Sequence, residues 1–369
     1  MKAQAYDAII IGAGLMGAST AAALAKTKSV LLLDSHKKFH ALGSSHGHAR
    51  MIRSLASEAK VFPETAAASW QAMKAMEEIP GSVLREMPAV FIIEAASQAH
   101  RQLLKQVTDI RTANQINQDY GFRMAANELA FIDRKAGIFD PAGVLTRLYN
   151  TIEQNGGTIS FETEATNWTD AADGVTVTIR GDHSILRATQ LVIATGAWTP
   201  GLSQALAGEM ILQRIPVYYF DFPAGMKDVI ALTFTKDGRV DMYAMPERRP
   251  TGETFLKVGF HSGRTFKDPD SVPRHVEDSE KKEARLRLED RLARNLNDPA
   301  AEVCLYAMTK KDLPLVGPLP GTRNTYLSTY GGGNCAKHAI ALGKALSDLM
   351  QSKPPSHDLS EFSPASTNS

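Results

Sequence analysis

The chain opens on a short apolar run, Asp7-Ala-Ile-Ile-Ile11, which has the composition of a buried strand. It breaks into Gly12-Ala-Gly14-Leu-Met-Gly17 and then into an Ala-rich stretch that predicts a helix to about Lys26. A second apolar run over 29–33 predicts a second strand, ending at Asp34. Residues 35–54, with two Gly and four His, read as a loop. A helix is expected over roughly 64–77, a strand over 89–94 and a helix over 97–111. Asp140-Pro141 is a helix start and Asn155-Gly156-Gly157 a helix stop. Short strands follow at 158–161, 174–180 and 190–194. The stretch 211–262 alternates like antiparallel strands, with turns at Asp237-Gly238 and Pro250-Thr-Gly252. A charged helix over 274–295, a Gly-rich apolar return from Val303 and a closing helix over 337–351 complete the pattern. The Ser- and Pro-containing end, 359–369, reads as a disordered tail.

Length and composition narrow the function classes. At 369 residues the chain suits two domains better than one core. A net charge of +1 gives no field to steer it toward nucleic acid or an anionic membrane. No apolar run reaches the roughly 18 residues that span a bilayer. The apolar start is broken by Gly12, Gly14 and Gly17 and lacks a signal-peptide layout, so it belongs to the fold. Two cysteines, Cys304 and Cys335, make no disulfide framework, and a reducing cytoplasm is the default expectation. The scattered His and Cys predict no metal site.

The glycines of the first turn have separate uses. Gly12 allows the tight turn, Gly14 lets the backbone approach a pyrophosphate, and Gly17 lets helix and strand pack closely. The helix N-terminus then offers free N–H groups and a partial positive charge to phosphates. Asp34 stands at about the 20-residue spacing of a ribose-binding acid. A glycine turn alone is also compatible with a purely structural role. Strand, glycines, helix, strand and acid in this order are the signature of a dinucleotide-binding unit.

The nature of the nucleotide follows from resemblance. Leu191-Val-Ile-Ala194-Thr-Gly196-Ala197-Trp198 resembles the strand and turn that return to the nucleotide in FAD-dependent amine oxidases. Gly43-Ser-Ser-His-Gly-His-Ala-Arg50-Met-Ile-Arg53 resembles the flavin-contact loop GSSHGDTRxIR of the monomeric sarcosine oxidase and N-methyltryptophan oxidase family. Val303-Cys304-Leu-Tyr306 is similar to that family's C-x-Y covalent flavin site, and Leu256-Lys257-Val-Gly-Phe-His261 to its LKxGxH strand. Gly331-Gly-Gly-Asn-Cys-Ala-Lys337 corresponds to its SGHGFK loop. The segments occur in the family's order and span nearly the whole chain. Two departures bear on the substrate: His48-Ala49 stands where Asp-Thr is usual, and Asn334-Cys335-Ala336 where His-Gly-Phe is usual.

The resemblance implies roles residue by residue. Gly12, Gly14, Gly17, Asp34, Ser44, Ser45, His46, Arg50, Gly196 and Gly332 are expected at the FAD, which Cys304 is expected to hold through a thioether. Arg53 and Lys337 are candidates to hold a substrate carboxylate, one a planar fork and one a point charge, with Lys337 also near the flavin. Lys257 falls on the oxygen-activating lysine, and Arg50 can balance charge on reduced flavin. His261 and Tyr306 are expected in the catalytic site and Tyr243 on the substrate face. His46 and His48 are placed near the flavin by loop position. Without these matches each residue has a plain alternative: a structural arginine, a solvent-facing strand lysine, a core histidine, a packed cysteine.

The implied fold is a Rossmann-like three-layer α/β FAD-binding domain (1–85, 136–210 and 304–358) with an α+β substrate domain on a mixed, largely antiparallel sheet (86–135 and 211–303). The implied activity is oxidation of a secondary amino acid, N-methylated or cyclic, to an imine. Oxygen is the expected acceptor, giving hydrogen peroxide, and a monomer is expected. An FAD-linked dehydrogenase or oxidase of D-amino or deoxyfructosyl amino acids is the alternative enzyme. A non-enzymatic flavin- or NAD-binding regulator is the alternative of a different class.

Overall fold

The computed structural model describes residues 5–53, 62–96, 104–105, 107–181, 183–203, 206, 208, 210–234, 240–261 and 263–364. The strand Ala5–Ile11 is buried from Ala8 onward and pairs in parallel with Val30–Leu33 and Ile185–Ile193. Burial on both faces is why it is apolar without alternation. The helix Leu15–Ala25 is buried almost all round because it packs on both Pro141–Gln154 and the closing helix Ala339–Met350. A helix enclosed in this way needs no polar face.

These strands belong to an eight-stranded sheet running Ala165–Ala171, Gly174–Ile179, Ile185–Ile193, Ala5–Ile11, Val30–Leu33, Thr158–Ser160, with Thr325–Thr329 paired to Ile185–Ile193 and Leu315–Pro318 paired to Thr325–Thr329. A nine-stranded sheet runs Arg264–Phe266, Ile211–Asp221, Thr254–Phe260, Val240–Arg248, Ile230–Phe234, Ala89–Glu94, Glu128–Asp133, Ile110–Arg111, with Ala300–Met308 paired to Ile211–Asp221. Its pairings are antiparallel except for Ile230–Phe234 with Ala89–Glu94. A three-stranded sheet, Arg50–Arg53, Ala136–Phe139 and Leu84–Glu86, completes the set among the described residues. No helix among them is long and apolar enough to cross a membrane.

Several expectations change. Residues 35–54 are not all loop: Arg50–Arg53 is a strand, paired antiparallel with Ala136–Phe139. The strand Ala165–Ala171 was not anticipated, because its mostly polar, solvent-facing residues carry no apolar pattern. The helix expected over 97–111 falls partly outside the described residues, and Ile110–Arg111 is a short strand instead. The Asp237-Gly238 turn also lies outside them. The expected boundary at 303/304 cuts through Ala300–Met308, which pairs along its whole length with Ile211–Asp221, so Cys304 sits in the nine-stranded sheet. The tail is not free from 359: Leu359 and Phe362 are buried, and Phe362 stacks on Phe62 at 5.8 Å.

Candidate active site

A cavity of about 460 Å³ runs from the end of the first βαβ unit to the inner face of the nine-stranded sheet. At the first end, Ala13 donates its N–H to Asp34 Oδ2 at 2.8 Å, which ties the glycine turn to the second strand. Leu15 N–H donates to Ser45 Oγ at 3.0 Å, and Tyr149 Oη donates to the Ala13 carbonyl at 2.6 Å.

The glycines can be separated by what a Cβ would meet. At Gly17 it would lie 1.9 Å from the Gly12 carbonyl oxygen, so Gly17 is demanded by packing and does not line the cavity. Gly12 has φ +107° and a Cβ there would lie 2.4 Å from the Ala194 oxygen. Gly14 has an ordinary φ of −67°, and among the described residues the only side chain near its Cβ position is Ser45, with Oγ at 3.0 Å. Neither backbone nor packing requires glycine at 14, whereas a phosphate group laid against the helix start does. The residues present therefore fit a dinucleotide such as FAD. His36, His40 and Trp198 line the same end beyond Asp34. Asp34, His36 and His40 are the only three-residue group with metal-ligand spacing among the described residues.

The other end is built by strand register. Phe91, Leu232, Tyr243, Gly259, Val217 and Glu302 are partners in turn across adjacent strands, so they share one face. The two-residue period of a strand adds Met245 and Glu247, Lys257 and His261, Tyr219, and Cys304 and Tyr306 to that face. Gly259 makes room for Tyr243: a Cβ there would stand 2.4 Å from the phenol oxygen. Tyr243, His261 and Tyr306 then meet edge to face, with ring centroids 5.7 and 5.4 Å apart.

The loop over 43–50 closes the cavity on this face. Ser44 Oγ donates to the Leu305 carbonyl at 2.5 Å, and Arg50 donates to the carbonyls of Ser44 and Ala49 at 3.1 and 2.9 Å. His46 Nδ1 lies 2.8 Å from the Gly43 carbonyl. Arg53 is 6% exposed, with its guanidinium 5.7 Å from the Phe91 ring centroid. Lys337, 3% exposed, lies in the turn Cys335–His338 and donates to Asn334 Oδ1 at 2.8 Å.

Two acids that sequence reasoning missed complete the charge pattern. Lys257 Nζ donates to Glu247 Oε2 at 3.0 Å and to the Ala49 carbonyl at 3.3 Å; both side chains are fully buried. Burial pulls the Lys257 ammonium below its ordinary pKa, Arg50 pulls the same way, and Glu247 opposes both. Glu302 accepts from Tyr219 Oη and lies 3.4 Å from His46 Nε2. Burial alone would raise the Glu302 carboxyl, but His46 and Tyr219 outweigh it and hold it at about 2. Burial pushes the Cys304 thiol up, against the pull of Arg50 and Lys257. Burial also raises the phenols of Tyr243 and Tyr306.

Gly12, Gly14, Asp34, Ser44, Ser45, His46, Arg50, Arg53, Gly196, Tyr243, Lys257, His261, Cys304, Tyr306, Gly332 and Lys337 all line this cavity. Gly17 and His48 do not; His48 Nδ1 instead lies 3.4 Å from Asp140. Cys335 packs with its sulfur 3.1 Å from Met16 Sδ. Glu247 was legible only as the third member of the alternation Tyr243, Met245, Glu247, and its position after Pro246 reads more simply as a strand end.

Comparisons with known proteins give the family and the fold. The family model described as "FAD dependent oxidoreductase" matches residues 7–349. A peroxisomal sarcosine oxidase of Mus musculus is 27% identical over 385 residues, covering 97% of this chain and 95% of the relative. A monomeric sarcosine oxidase of Arthrobacter sp. is 25% identical over 386 residues, covering 97% and 95%. A solved structure of NikD, described as an unusual amino acid oxidase essential for nikkomycin biosynthesis, superposes with a TM-score of 0.81 at 20% identity, covering 98% of both chains.

Proposed function

We propose that this chain, which belongs to the FAD-dependent oxidoreductase family and is an amine oxidoreductase acting on CH–NH groups, oxidises a secondary amino acid to its imine with oxygen as acceptor. The observation that carries the reading is the pair of buried cations, Arg53 and Lys337, on the wall of a cavity whose other end fits a dinucleotide. A planar guanidinium and a point-charge ammonium on one cavity wall suit a ligand carboxylate, which charge-assisted hydrogen bonds to them would hold in one orientation.

Bound FAD supplies the oxidation itself. Arg53 and Lys337 hold the carboxylate, and the ring cluster of Tyr243, His261 and Tyr306 confines the amine so that one α C–H geometry is kept. The substrate gives up two electrons and two protons as its C–N bond becomes C=N. Water then hydrolyses the imine to a carbonyl compound and an amine. Oxygen takes up two electrons and two protons to become hydrogen peroxide. Lys257 is the residue that favours this last step: a fixed, buried ammonium stabilises negative charge developing on oxygen without solvent reorganisation. Cys304, buried on the same face, is the residue for a thioether to the cofactor.

The reading is tested by anaerobic bleaching of the yellow protein with N-methyl, cyclic, D- and glycated amino acids, followed by a peroxide assay in air. Secondary amino acids should bleach it and give peroxide. Equal turnover of a decarboxylated amine and its parent acid would remove the carboxylate anchor from the argument. Bleaching without peroxide would instead select an FAD-linked dehydrogenase.

A further inference from the structure

Glu247 is 1% exposed and its carboxylate is shared between two cations, Lys257 at 3.0 Å through Oε2 and Arg249 Nε at 3.7 Å through Oε1. Arg249 in turn covers the rings of Tyr219 and Phe255, with centroids 4.9 and 4.6 Å away, closing the carboxylate off on that side. Lys257 Nζ stands 5.5 Å from the Tyr219 ring centroid on the same side. On its cavity side, Lys257 lies close to Gly47, where a Cβ would be 3.5 Å from Nζ. A lysine stem is flexible, and an ammonium cut off from water tends to lose its proton. The carboxylate and the Ala49 carbonyl together fix both the place and the charge of this one.

We propose that Glu247 is the positioning residue for Lys257: it clamps the ammonium at the cavity wall and keeps it protonated, and so sets the upper pH limit of the reaction with oxygen. The part about oxygen rests on the function proposed above; the part about the clamp rests on geometry alone. Besides Glu247, the charged and titratable groups around Lys257 among the described residues are Arg50 from the Arg50–Arg53 strand, Glu302 and Cys304 from Ala300–Met308, Tyr219 from Ile211–Asp221, and Arg249, which shares the Glu247 carboxylate and so opposes a second cation as Arg50 does. Arg50 opposes a second cation. Glu302 helps it, but is already engaged by Tyr219 and His46. Cys304 and Tyr219 are neutral while protonated. Glu247 is therefore the contact that decides.

The experiment pairs Glu247→Gln with Glu247→Asp and reads two signals across pH. The first is the Cε resonance of Lys257 in protein labelled with 13C-lysine, identified by its loss in Lys257→Met. The second is reoxidation of the reduced protein by air in stopped flow. In Glu247→Gln the resonance should titrate at lower pH than in wild type. Reoxidation should fall about tenfold for each pH unit above that midpoint. Reduction by substrate should keep its wild-type pH profile, which a general loss of structure would not allow. Glu247→Asp, which keeps the charge, should bring both signals back toward wild type. An unmoved Lys257 titration in Glu247→Gln overturns the proposal. If the resonance moves and reoxidation does not follow it, the clamp stands and the oxygen role of Lys257 falls. Should Glu247→Gln fail to fold, Glu247→Asp decides: its carboxylate is one methylene farther from Nζ, so the Lys257 titration should move part of the way to lower pH, and a titration identical to wild type overturns the clamp.

Discussion

Gly14→Val separates a glycine kept for a ligand from one kept for the fold. The Cβ of residue 14 points at open space apart from Ser45, whose Oγ is 3.0 Å away and whose own Cβ is 3.8 Å away. Turning that hydroxyl aside gives up the bond from Leu15 N–H, worth about 0.5–1.5 kcal/mol. Replacing glycine at an unstrained extended position recovers about 0.4–1 kcal/mol through the unfolded chain. The two nearly cancel, so the stability of the apoprotein should change by no more than about 1 kcal/mol. The side chain would nevertheless occupy the approach to the helix start, and flavin binding should be lost. Gly17→Ala is the contrast: its Cβ would sit 1.9 Å from a carbonyl oxygen, an overlap that costs about 1–3 kcal/mol or more. Protein made under riboflavin limitation gives apoprotein for melting, and protein made with riboflavin gives flavin content. The expected pattern is a normal apoprotein melt without colour for Gly14→Val, and a lowered melt for Gly17→Ala. A yellow Gly14→Val protein with full flavin content would refute the placement of the pyrophosphate.

Three further outcomes are expected. Arg53→Met and Lys337→Met should each lower kcat/KM for amino acids by roughly 10- to 100-fold, from about 1.5–3 kcal/mol per charge-assisted bond, with flavin content unchanged; loss of flavin instead would place them at the cofactor. Acid precipitation should leave colour in the wild-type pellet and release it from Cys304→Ser; wild-type colour in the supernatant would make Cys304 a packed residue. Glu302 is held at about 2 against an ordinary value of 4.5, so its contribution to stability is present above that value and is lost as pH falls toward 2. Melting of wild type should therefore lose its advantage over Glu302→Gln across that window, and parallel curves would show that the carboxylate contributes nothing there.

The first strand, glycine turn, helix and second strand were legible because they are local: they and the acid that ties them together fall within residues 5–34. The sheet face was legible only in fragments, since Lys257 and His261 announce a strand but not what lies across from it. Arg50–Arg53 looked like loop because a four-residue strand has little pattern of its own, and its partner, Ala136–Phe139, is far along the chain. Glu247 escaped for a similar reason: an acid following proline gains its meaning only from Lys257 on the next strand. Leu359 and Phe362 escaped because two apolar residues in a polar tail set up no period, although Phe362 fills a site against Phe62.

The register row from Phe91 to Glu302 has a consequence for how such an enzyme can diversify. Each position in the row is supplied by a different strand, so a substitution at one leaves the backbone of its neighbours alone. Leu232, which lines the cavity toward one end of the row, lies on a strand that carries none of the charged groups around Lys257. Lineages can therefore vary what is accepted at that end while the ionic end stays intact. Insertions have no such freedom. One added residue within Thr254–Phe260 ahead of Lys257 would turn Lys257 and His261 to the opposite face together. Drift in this family should thus proceed by exchange of side chains along the row and by lengthening of loops beyond it, with strand lengths held constant.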